Sequence, residues 1–403
     1  MKILHVVSAL DESCGGTAEV VPRTCEELVA LGHDVTILTL AWAKPAAAAL
    51  RAEEHGVTIK YCRRTRSLFP SLGYSREFAD KVKQLAPKAD IVHLHGLWQW
   101  PCWRAADEAI KAGRPYVMQP HGFLEPERLR KSTIRKAVVG RVMERPRFKS
   151  ASRAIATAES EKEGLLRYGV GTPVEVVPIG IDTHDIDVAT KDEELLRRLG
   201  VPPGKKVLLY LSRLAPIKGL DMLAEAWIRL REFHDAWHLL IVGDDTQGFS
   251  ETIKRQYAGW VTDGSASLPG AVYGPDKFKL LKSADAFVLP TRNENFGIAV
   301  LEALAAGLPV VCTKGAPWGV IGQEGAGRWV DVGSEAIERG LRDIMSCDHA
   351  EFEKMGESGR RIARRDFSWP GVTRHLLDVY DEVLSGEVVN SRVEHVERVE
   401  EGK

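Results

Sequence analysis

The stretch from Asp285 to Cys312 constrains the fold more than any other part of this sequence. It reads DAFVLPTRNENFGIAVLEALAAGLPVVC and contains an apolar run (Ala286 to Leu289), a polar loop, an apolar helical segment and a second apolar run (Pro309 to Cys312). Continuous apolar runs bounded by turn residues are typical of strands in a parallel sheet that is covered on both faces. The stretch therefore predicts a strand–helix–strand unit of an α/β fold.

The polar loop of this unit, Thr291 to Asn295, is a candidate ligand site. It lies where the carboxyl end of a strand meets a helix, which is where open α/β sheets bind ligands. We expect the helix to begin at about Phe296-Gly297, so that free N–H groups suit a phosphate. Glu294 lies in the loop, and Glu302 lies roughly 9 Å along the helix at about 1.5 Å per residue. Glu302 has apolar neighbours and needs a partner or a ligand; the alternative is a pair of ordinary helix carboxylates.

Length and composition limit the class of protein. The 403 residues are more than one core usually supports, so two domains are predicted. The net charge of −1 gives no indication of a nucleic-acid partner. Six scattered cysteines fit a reducing cytosol, and the strand-like amino terminus predicts no signal peptide. No apolar run approaches the roughly 20 residues that span a bilayer. We expect a cytoplasmic protein.

The amino-terminal half repeats the strand–loop–helix pattern. A first strand precedes Gly15-Gly16, a buried strand ends at His95, and another precedes His121 and Gly122. All three lie at the carboxyl ends of strands, so we expect them to line one crevice, with Trp98 as a sugar-stacking or packing aromatic. His93 and His95 share a strand face, but no nearby Cys/His set completes a zinc site. No G-x-G-x-x-G is present, which disfavours NAD or FAD.

Charged residues in the carboxyl-terminal half favour phosphate binding. Arg213 and Lys218 follow a predicted strand and precede a helix, so they suit a phosphate clamp, although each alone is typical of a surface charge. Asp185 and Asp187 form a lone Asp-x-Asp, which we do not assign as a metal site.

The most basic stretch runs from Arg128 to Arg153, with Glu144 as its only acid. A basic, partly amphipathic helical segment can bind anionic lipid headgroups. A solvated helix face and a surface for a charged acceptor are equal alternatives.

The spacing Glu294-x7-Glu302 within NENFGIAVLEALAAGLPVV resembles the signature of the retaining "glycosyl transferases group 1" family. The resemblance implies the GT-B fold, in which two Rossmann-like α/β domains face each other across a cleft and a carboxyl-terminal helix crosses back. The expected divisions are an acceptor domain (1–181), a nucleotide-sugar domain (182–366), the crossing helix (367–385) and a flexible tail (386–403). Ile179 departs from the family pattern, which has Asn there.

The resemblance also implies roles for individual residues. Glu294 is expected to contact the donor sugar, Glu302 the ribose, and Arg213 with Lys218 the diphosphate. The loop from Tyr273 to Lys277 is expected to contact the nucleobase. The expected catalytic residues are His121, Glu294, Arg213 and Lys218. The expected donor-binding residues are Gly15, Gly16, Arg213, Lys218, Tyr273, Glu294, Asn295, Phe296, Gly297, Ile298 and Glu302. The expected acceptor-binding residues are His95, Trp98 and His121.

The predicted activity is retaining, metal-independent transfer of a hexosyl unit from a UDP- or GDP-sugar. The acceptor is expected to be a glycan or a lipid-linked saccharide in polysaccharide or cell-envelope biosynthesis, with no cofactor. Two alternatives remain at this point: a catalytically silent nucleotide- or glycan-binding protein, and a sugar-nucleotide epimerase of the same fold. An epimerase should lack the paired glutamates.

Overall fold

The computed structural model describes residues 1–11, 14–66, 72–124, 139–245, 248–256 and 264–386. The chain forms two parallel sheets. The first has seven strands in the order β3-β2-β1-β4-β5-β6-β7. Its strands are β1 (Lys2–Val7), β2 (Asp34–Ala41), β3 (Thr58–Arg63), β4 (Ile91–His95), β5 (Tyr116–Gln119), β6 (Arg153–Ala156) and β7 (Val174–Val176).

The second sheet has six parallel strands in the order β10-β9-β8-β11-β12-β13. They are β8 (Lys206–Leu211), β9 (Trp237–Val242), β10 (Ala266–Gly270), β11 (Ala286–Leu289), β12 (Val310–Thr313) and β13 (Gly327–Val330). Three of these six strands, β9, β11 and β12, are buried along their whole length, as their apolar runs predict.

Helices connect the strands. In the first domain they are α1 (Gly16–Ala30), α2 (Ala47–Glu54), α3 (Arg76–Leu85), α4 (Trp100–Lys111), α5 (Arg145–Ser150) and α6 (Glu159–Tyr168). A π-helical turn (Gly140–Glu144) precedes α5. The remaining helices are α7 (His184–Val188), α8 (Glu193–Arg198), α9 (Leu220–Arg229), α10 (Phe249–Gln256), α11 (Pro275–Ser283), α12 (Ile298–Ala306), α13 (Val320–Gln323), α14 (Ser334–Met345), α15 (His349–Asp366) and α16 (Trp369–Ser385).

Each sheet has one point at which the strand order reverses. In the first sheet β1 lies between β2 and β4, and in the second β8 lies between β9 and β11. The connections on the two sides of such a point leave in opposite directions, which opens a crevice at the carboxyl ends of the strands. The fold therefore provides one ligand crevice in each domain.

The carboxyl-terminal helix α16 packs on the first domain. Its apolar side (Val372, Leu376, Val379 and Tyr380) belongs to the same buried cluster as residues of β1 and α1. The crossing is held by a hydrogen bond of 2.7 Å from the Ile181 N–H to the Phe367 carbonyl. A Cβ at Gly180 would lie 2.4 Å from the Trp369 ring, so only glycine permits this contact.

The predicted fold class, two Rossmann-like domains with a returning helix, is confirmed. Local boundaries differ by a few residues. Helix α12 begins at Ile298 rather than at Phe296, because Gly297 adopts a left-handed conformation with φ of 87° immediately before it. Strand β12 spans Val310–Thr313, one residue later than predicted. No helix of the described residues is long and apolar enough to cross a membrane.

Candidate active site

The candidate donor site lies at the strand reversal of the second sheet. Arg213 and Lys218 follow β8, and the loop carrying Glu294 follows β11, which pairs with β8. Because both strands are parallel, their carboxyl ends and the loops that leave them meet at one edge of the sheet. The two sequence-predicted cations and Glu294 are therefore brought to one place.

Backbone hydrogen bonds join the loop after β11 to the loops after β8 and β12. The Arg292 N–H donates to the Ile217 carbonyl over 2.8 Å, and the Glu294 N–H donates to the Gly315 carbonyl over 2.7 Å. Gly219 has φ of 70°, and a Cβ there would lie 2.0 Å from the Pro290 carbonyl oxygen. The loops are thus packed backbone against backbone, which fixes the side chains that they carry.

Lys218 and Glu294 form an ion pair. The ammonium group donates to Oε2 of Glu294, and the two side chains are only 9% and 19% exposed. A buried charge is costly without a partner, so each residue supports the other when no ligand is bound. Lysine has three N–H donors. It can therefore keep this contact and still donate to a phosphate oxygen.

Arg213 differs from Lys218 in its surroundings. It is exposed, and no described carboxylate forms an ion pair with it. Guanidinium groups bind phosphate with two parallel hydrogen bonds, which a lone ammonium group cannot make. The pair thus offers one anchored cation and one accessible cation at the end of β8.

The start of α12 adds backbone donors. Gly297 precedes the helix, no side chain caps it, and the first turn contains no acid. The first N–H groups of a helix have no acceptor within it, and its dipole favours an anion there. The Trp318 indole N–H donates to the Phe296 carbonyl over 2.5 Å, which holds the turn. A phosphate fits the chemistry of this helix start.

The second glutamate pairs with Lys277. Nζ of Lys277, on α11, lies 2.5 Å from Oε1 of Glu302, on α12. The partner that an embedded carboxylate needs is therefore a lysine of the neighbouring helix. Tyr273 lies just before α11 and is 73% exposed, so its ring is accessible to a ligand. Across the cleft, burial and the Glu302 charge contribute to a raised pKa of Glu19, on α1.

The loop after β5 meets the second domain. His121 has φ of 54°, which is unusual for a non-glycine residue, and its side chain is half-buried. The Nδ2 group of Asn295 donates to Oγ1 of Thr157 over 2.8 Å. A Cβ at Gly122 would lie 2.8 Å from the Asn295 side chain. His121 and Gly122 therefore lie beside the loop that carries Glu294.

Glu161 organises this junction, and sequence reasoning gave it no role. Its carboxylate accepts hydrogen bonds from the Gly122 N–H (2.5 Å) and from the Thr157 N–H (2.7 Å) and hydroxyl (2.9 Å). The side chain is buried at 8% exposure. The only signal in the sequence is an acid in the first turn of a helix, which is too common to indicate a site.

The glycine loop after β1 also reaches the second domain. Gly15 has φ of 61° and precedes α1. A Cβ at Gly16 would lie 3.5 Å from Cδ1 of Ile298, the first residue of α12. The start of α12 is thus approached by first-domain backbone as well as by the second-domain cations.

His95 and Trp98, which are expected to bind the acceptor, lie mostly inside the first domain. His95 is 2% exposed, and its two ring nitrogens are hydrogen-bonded to His5 and His121. Trp98 is half-buried, and its backbone N–H donates to Glu144 over 2.6 Å. As the side chains stand, His95 supports His121, and Trp98 packs within the domain.

Four histidines cluster beneath the cleft, of which the sequence singled out three. His5, on β1, is the addition, because its neighbour across the sheet, His93, becomes apparent only from the strand register. Burial lowers the pKa of His5 to about 3 and that of His121 to about 4. Burial also holds the pKa values of His93 and His95 well below the usual range. All four rings are therefore neutral near pH 7.

The Asp185–Asp187 pair and the group of His5, His93 and His95 could each begin a metal site, but several of their side chains already form hydrogen bonds. Asp187 accepts hydrogen bonds from the Thr183 hydroxyl and from Arg364, each over 2.9 Å. Side-chain nitrogens of His5, His93 and His95 lie within 4.8 Å of one another. Hydrogen bonds engage Nδ1 of His5 and both nitrogens of His95. Nδ1 of His93 is hydrogen-bonded to the Tyr380 hydroxyl at 2.6 Å.

The basic stretch Arg128 to Arg153 is not one amphipathic helix where it is described. Residues 128–138 lie outside the described residues. Arg153 is in strand β6 and 8% exposed, so it belongs to the domain interior. Glu144 is buried and accepts from the Trp103 indole N–H over 2.8 Å; burial raises its pKa. Arg147 pairs with Asp107 at 2.8 Å.

Sequence comparisons place both halves of the chain in glycosyltransferase families. Residues 191–362 match the family profile "Glycosyl transferases group 1", and residues 14–185 match "Glycosyltransferase Family 4". An uncharacterised glycosyltransferase of Methanocaldococcus jannaschii is 27% identical over 388 residues, which cover 93% of this chain and 95% of the relative. The GDP-mannose:cellobiosyl-diphosphopolyprenol alpha-mannosyltransferase of Xanthomonas campestris is 25% identical over 392 residues, with coverage of 95% and 97%.

Solved structures share the fold at lower identity. The crystal structure of Anabaena HepE in complex with UDP and glucose superimposes with a TM-score of 0.73 at 19% identity, covering 95% of this chain and all of HepE (100%). A glycosyltransferase from Rickettsia africae gives a TM-score of 0.75 at 19% identity, with coverage of 96% and 99%. With matching profiles over both domains and this two-sheet architecture, the chain is a glycosyltransferase of the GT-B fold whose second domain matches the group 1 family.

Proposed function

We propose that this glycosyltransferase moves a hexosyl unit from a UDP- or GDP-sugar to a glycan or lipid-linked saccharide, with retention of configuration and without a metal. One observation carries the proposal. The Lys218–Glu294 ion pair lies at the carboxyl ends of β8 and β11, where Arg213 and the uncapped start of α12 also converge. This arrangement suits a sugar diphosphate better than any other ligand class.

The leaving group is the main electrostatic problem of the reaction. Breaking the bond between sugar and phosphate leaves negative charge on the nucleoside diphosphate and positive charge on the sugar. Preorganised donors aimed at the developing charge lower such a barrier. Arg213, Lys218 and the first N–H groups of α12 supply that stabilisation, which is the basis for proposing independence from a metal.

We propose retention because the Glu294-x7-Glu302 unit resembles that of the retaining group 1 family. Glu294 is held by Lys218, so it suits orienting the sugar hydroxyls rather than attacking the sugar. We therefore propose attack by the acceptor hydroxyl on the face from which the phosphate leaves, with the proton passing to the departing phosphate oxygen. Glu302 binds the ribose, and His121 lies near the transferring centre.

The acceptor and the donor base are supported by relatives. The Xanthomonas enzyme is named for GDP-mannose and a cellobiosyl-diphosphopolyprenol acceptor, and HepE was crystallised with UDP and glucose. These names support a lipid-linked saccharide acceptor and either UDP or GDP as the leaving group. We further propose that the enzyme acts in polysaccharide biosynthesis at the cytoplasmic face of the membrane. Because a lipid-linked acceptor lies in a membrane, we propose peripheral membrane contact and expect the enzyme to sediment with anionic vesicles. If the enzyme stays in the supernatant, peripheral membrane contact is refuted.

Thermal unfolding with UDP, GDP and ADP, each with and without EDTA, tests the donor site. A nucleotide at about 100 times its dissociation constant adds about 2.7 kcal/mol to the free energy of unfolding. We expect UDP or GDP to raise the midpoint equally in both conditions. A shift abolished by EDTA contradicts the metal-free site, and no shift with any nucleotide contradicts the donor assignment.

Two other functions predict different products. A catalytically silent binding protein would bind nucleotide without turning over any sugar donor. An epimerase would convert the sugar of the donor in the absence of an acceptor. Incubation of UDP-glucose or GDP-mannose with and without a saccharide acceptor, followed by analysis of the nucleotide products, separates the three.

A further inference from the structure

Three imidazole rings form a continuous hydrogen-bonded chain from the sheet interior to the cleft. Nδ1 of His5 lies 2.9 Å from Nε2 of His95, and Nδ1 of His95 lies 2.9 Å from Nε2 of His121. His5 is on β1 and His95 ends β4, so the parallel pairing of these strands builds the first link. The loop after β5 supplies the last ring.

The three hydrogen-bonded rings have only two possible arrangements of protons. His5 and His95 are almost fully buried, at 0% and 2% exposure, and all three rings are neutral. A neutral imidazole has one N–H donor and one acceptor nitrogen. Each ring must therefore donate on one side and accept on the other, and all three point the same way.

The innermost ring, His5, decides between the two proton arrangements. Nε2 of His5 is buried and has no hydrogen-bond partner in the described part of the protein. Among buried backbone groups an N–H without an acceptor is rarer than an acceptor without a donor, and we apply the same preference to the imidazole ring. His5 therefore carries its proton on Nδ1 and donates to His95, which in turn donates from Nδ1 to Nε2 of His121.

We propose that His5 and His95 are positioning residues that fix His121 as the Nδ1–H tautomer. His121 then presents a hydrogen-bond donor, not a base, on its Nδ1 side, where no described residue is hydrogen-bonded to it. The natural acceptor is an oxygen of the bound sugar or of the leaving phosphate, which gains negative charge. Only this choice of acceptor rests on the proposed function; the tautomer does not.

His93 provides a matched control. It stacks on His95 with ring centroids 4.0 Å apart, but its Nδ1 is bonded to the Tyr380 hydroxyl, so it lies outside the chain. Replacing His93 with Leu removes a buried imidazole from the same sheet face without breaking either link. Replacing His95 with Leu breaks both links, and His95→Asn keeps an amide donor near the position of Nδ1.

The deciding measurement is ¹⁵N NMR of the full chain with labelled histidines. In the wild type and in His93→Leu we expect a protonated Nδ1 and an unprotonated Nε2 on His121. In His95→Leu the proton is expected to move to Nε2 or to exchange between the two nitrogens, and His95→Asn restores the wild-type pattern. An unprotonated Nδ1 in the wild type, or an unchanged pattern in His95→Leu, overturns the proposal.

Metal analysis of the same samples tests a competing use of the rings. Stoichiometric zinc in the purified protein, together with metal-shifted ¹⁵N resonances of His5, His93 and His95, would overturn the proposal. A bound metal would occupy the nitrogens that accept the hydrogen bonds between the rings. We expect no bound metal and the same histidine spectrum after EDTA.

Kinetics and nucleotide binding separate this inference from the proposed function. His95→Leu loses the oriented hydrogen-bond donor of His121. We expect kcat for the nucleotide sugar to fall about a hundredfold or more, as when one N–H group that faces developing charge is removed, with KM nearly unchanged. An unchanged kcat overturns the catalytic use of the tautomer. If no nucleotide stabilises the protein while the ¹⁵N pattern holds, the donor site fails and the proton chain stands.

Discussion

Replacing Lys218 with Met tests whether this lysine binds the diphosphate or only neutralises Glu294. In the nucleotide-free protein the two side chains form a largely buried ion pair. Removing the ammonium group therefore has two consequences: Glu294 loses its partner, and the diphosphate loses a donor. A double-mutant cycle with Glu294→Gln separates them, because the amide no longer needs a cation.

The two consequences have different magnitudes. Breaking a buried ion pair on one side costs about 3–5 kcal/mol, and the 19% exposure of Glu294 favours the lower end, about 3 kcal/mol. Glu294→Gln should recover most of this loss. A hydrogen bond to a charged group contributes about 1.5–3 kcal/mol, which is roughly 10- to 150-fold in the dissociation constant of the nucleotide.

Urea unfolding measures the first consequence and calorimetric titration with the stabilising nucleotide measures the second. We expect Lys218→Met to weaken nucleotide binding by a similar factor with Glu294 or with Gln at that position. Lys81→Met, which breaks the 2.7 Å pair of Lys81 with Glu77 in the first domain, should leave binding unchanged. If Lys218→Met has no effect on affinity in the Glu294→Gln background, the lysine does not bind the diphosphate.

Three further predictions concern the ribose, the backbone and pH. Glu302→Gln should raise KM for the donor and abolish the preference for the ribonucleotide over its 2′,3′-dideoxy analogue; a preserved preference contradicts the ribose role. Gly219→Ala places a Cβ 2.0 Å from a carbonyl oxygen and should cost more than about 2 kcal/mol in urea unfolding. Gly204→Ala has a similar φ and open space, so it should cost only about 1 kcal/mol; equal losses refute the packing argument. Burial lowers the pKa of His238 to about 4, below the unfolded value of about 6.5. The unfolded state therefore binds a proton that the folded state does not, and stability falls as pH drops from about 6.5 toward 4; His238→Gln should flatten that decline by up to about 1.4 kcal/mol per pH unit, and an unchanged slope contradicts the shift.

The fold was predictable because its signals are local. Apolar runs such as Ala286 to Leu289, followed by a polar loop and a helix, indicate parallel strands whatever the rest of the chain does. The cations Arg213 and Lys218 were also found from their place after a strand. These inferences need only the order of residues along the chain.

The contacts between distant strands and helices were not predictable in the same way. Lys277 as the partner of Glu302, and His5 as the neighbour of His93 and His95, depend on strand register and helix packing. The sequence places His95 at a strand end but does not show that its ring is buried behind His121. The basic stretch illustrates the opposite error, because charge along the sequence did not reveal that Arg153 lies in a buried strand.

The stereochemical course of the reaction in the absence of metal decides whether the transfer is retaining and metal-independent. ¹H NMR can follow the anomeric proton of a UDP-glucose or GDP-mannose donor during transfer to a saccharide or lipid-linked acceptor in the presence of EDTA. We expect release of the nucleoside diphosphate and a product with the anomeric configuration of the donor. An inverted product, or transfer that occurs only when a divalent metal is restored, would contradict it.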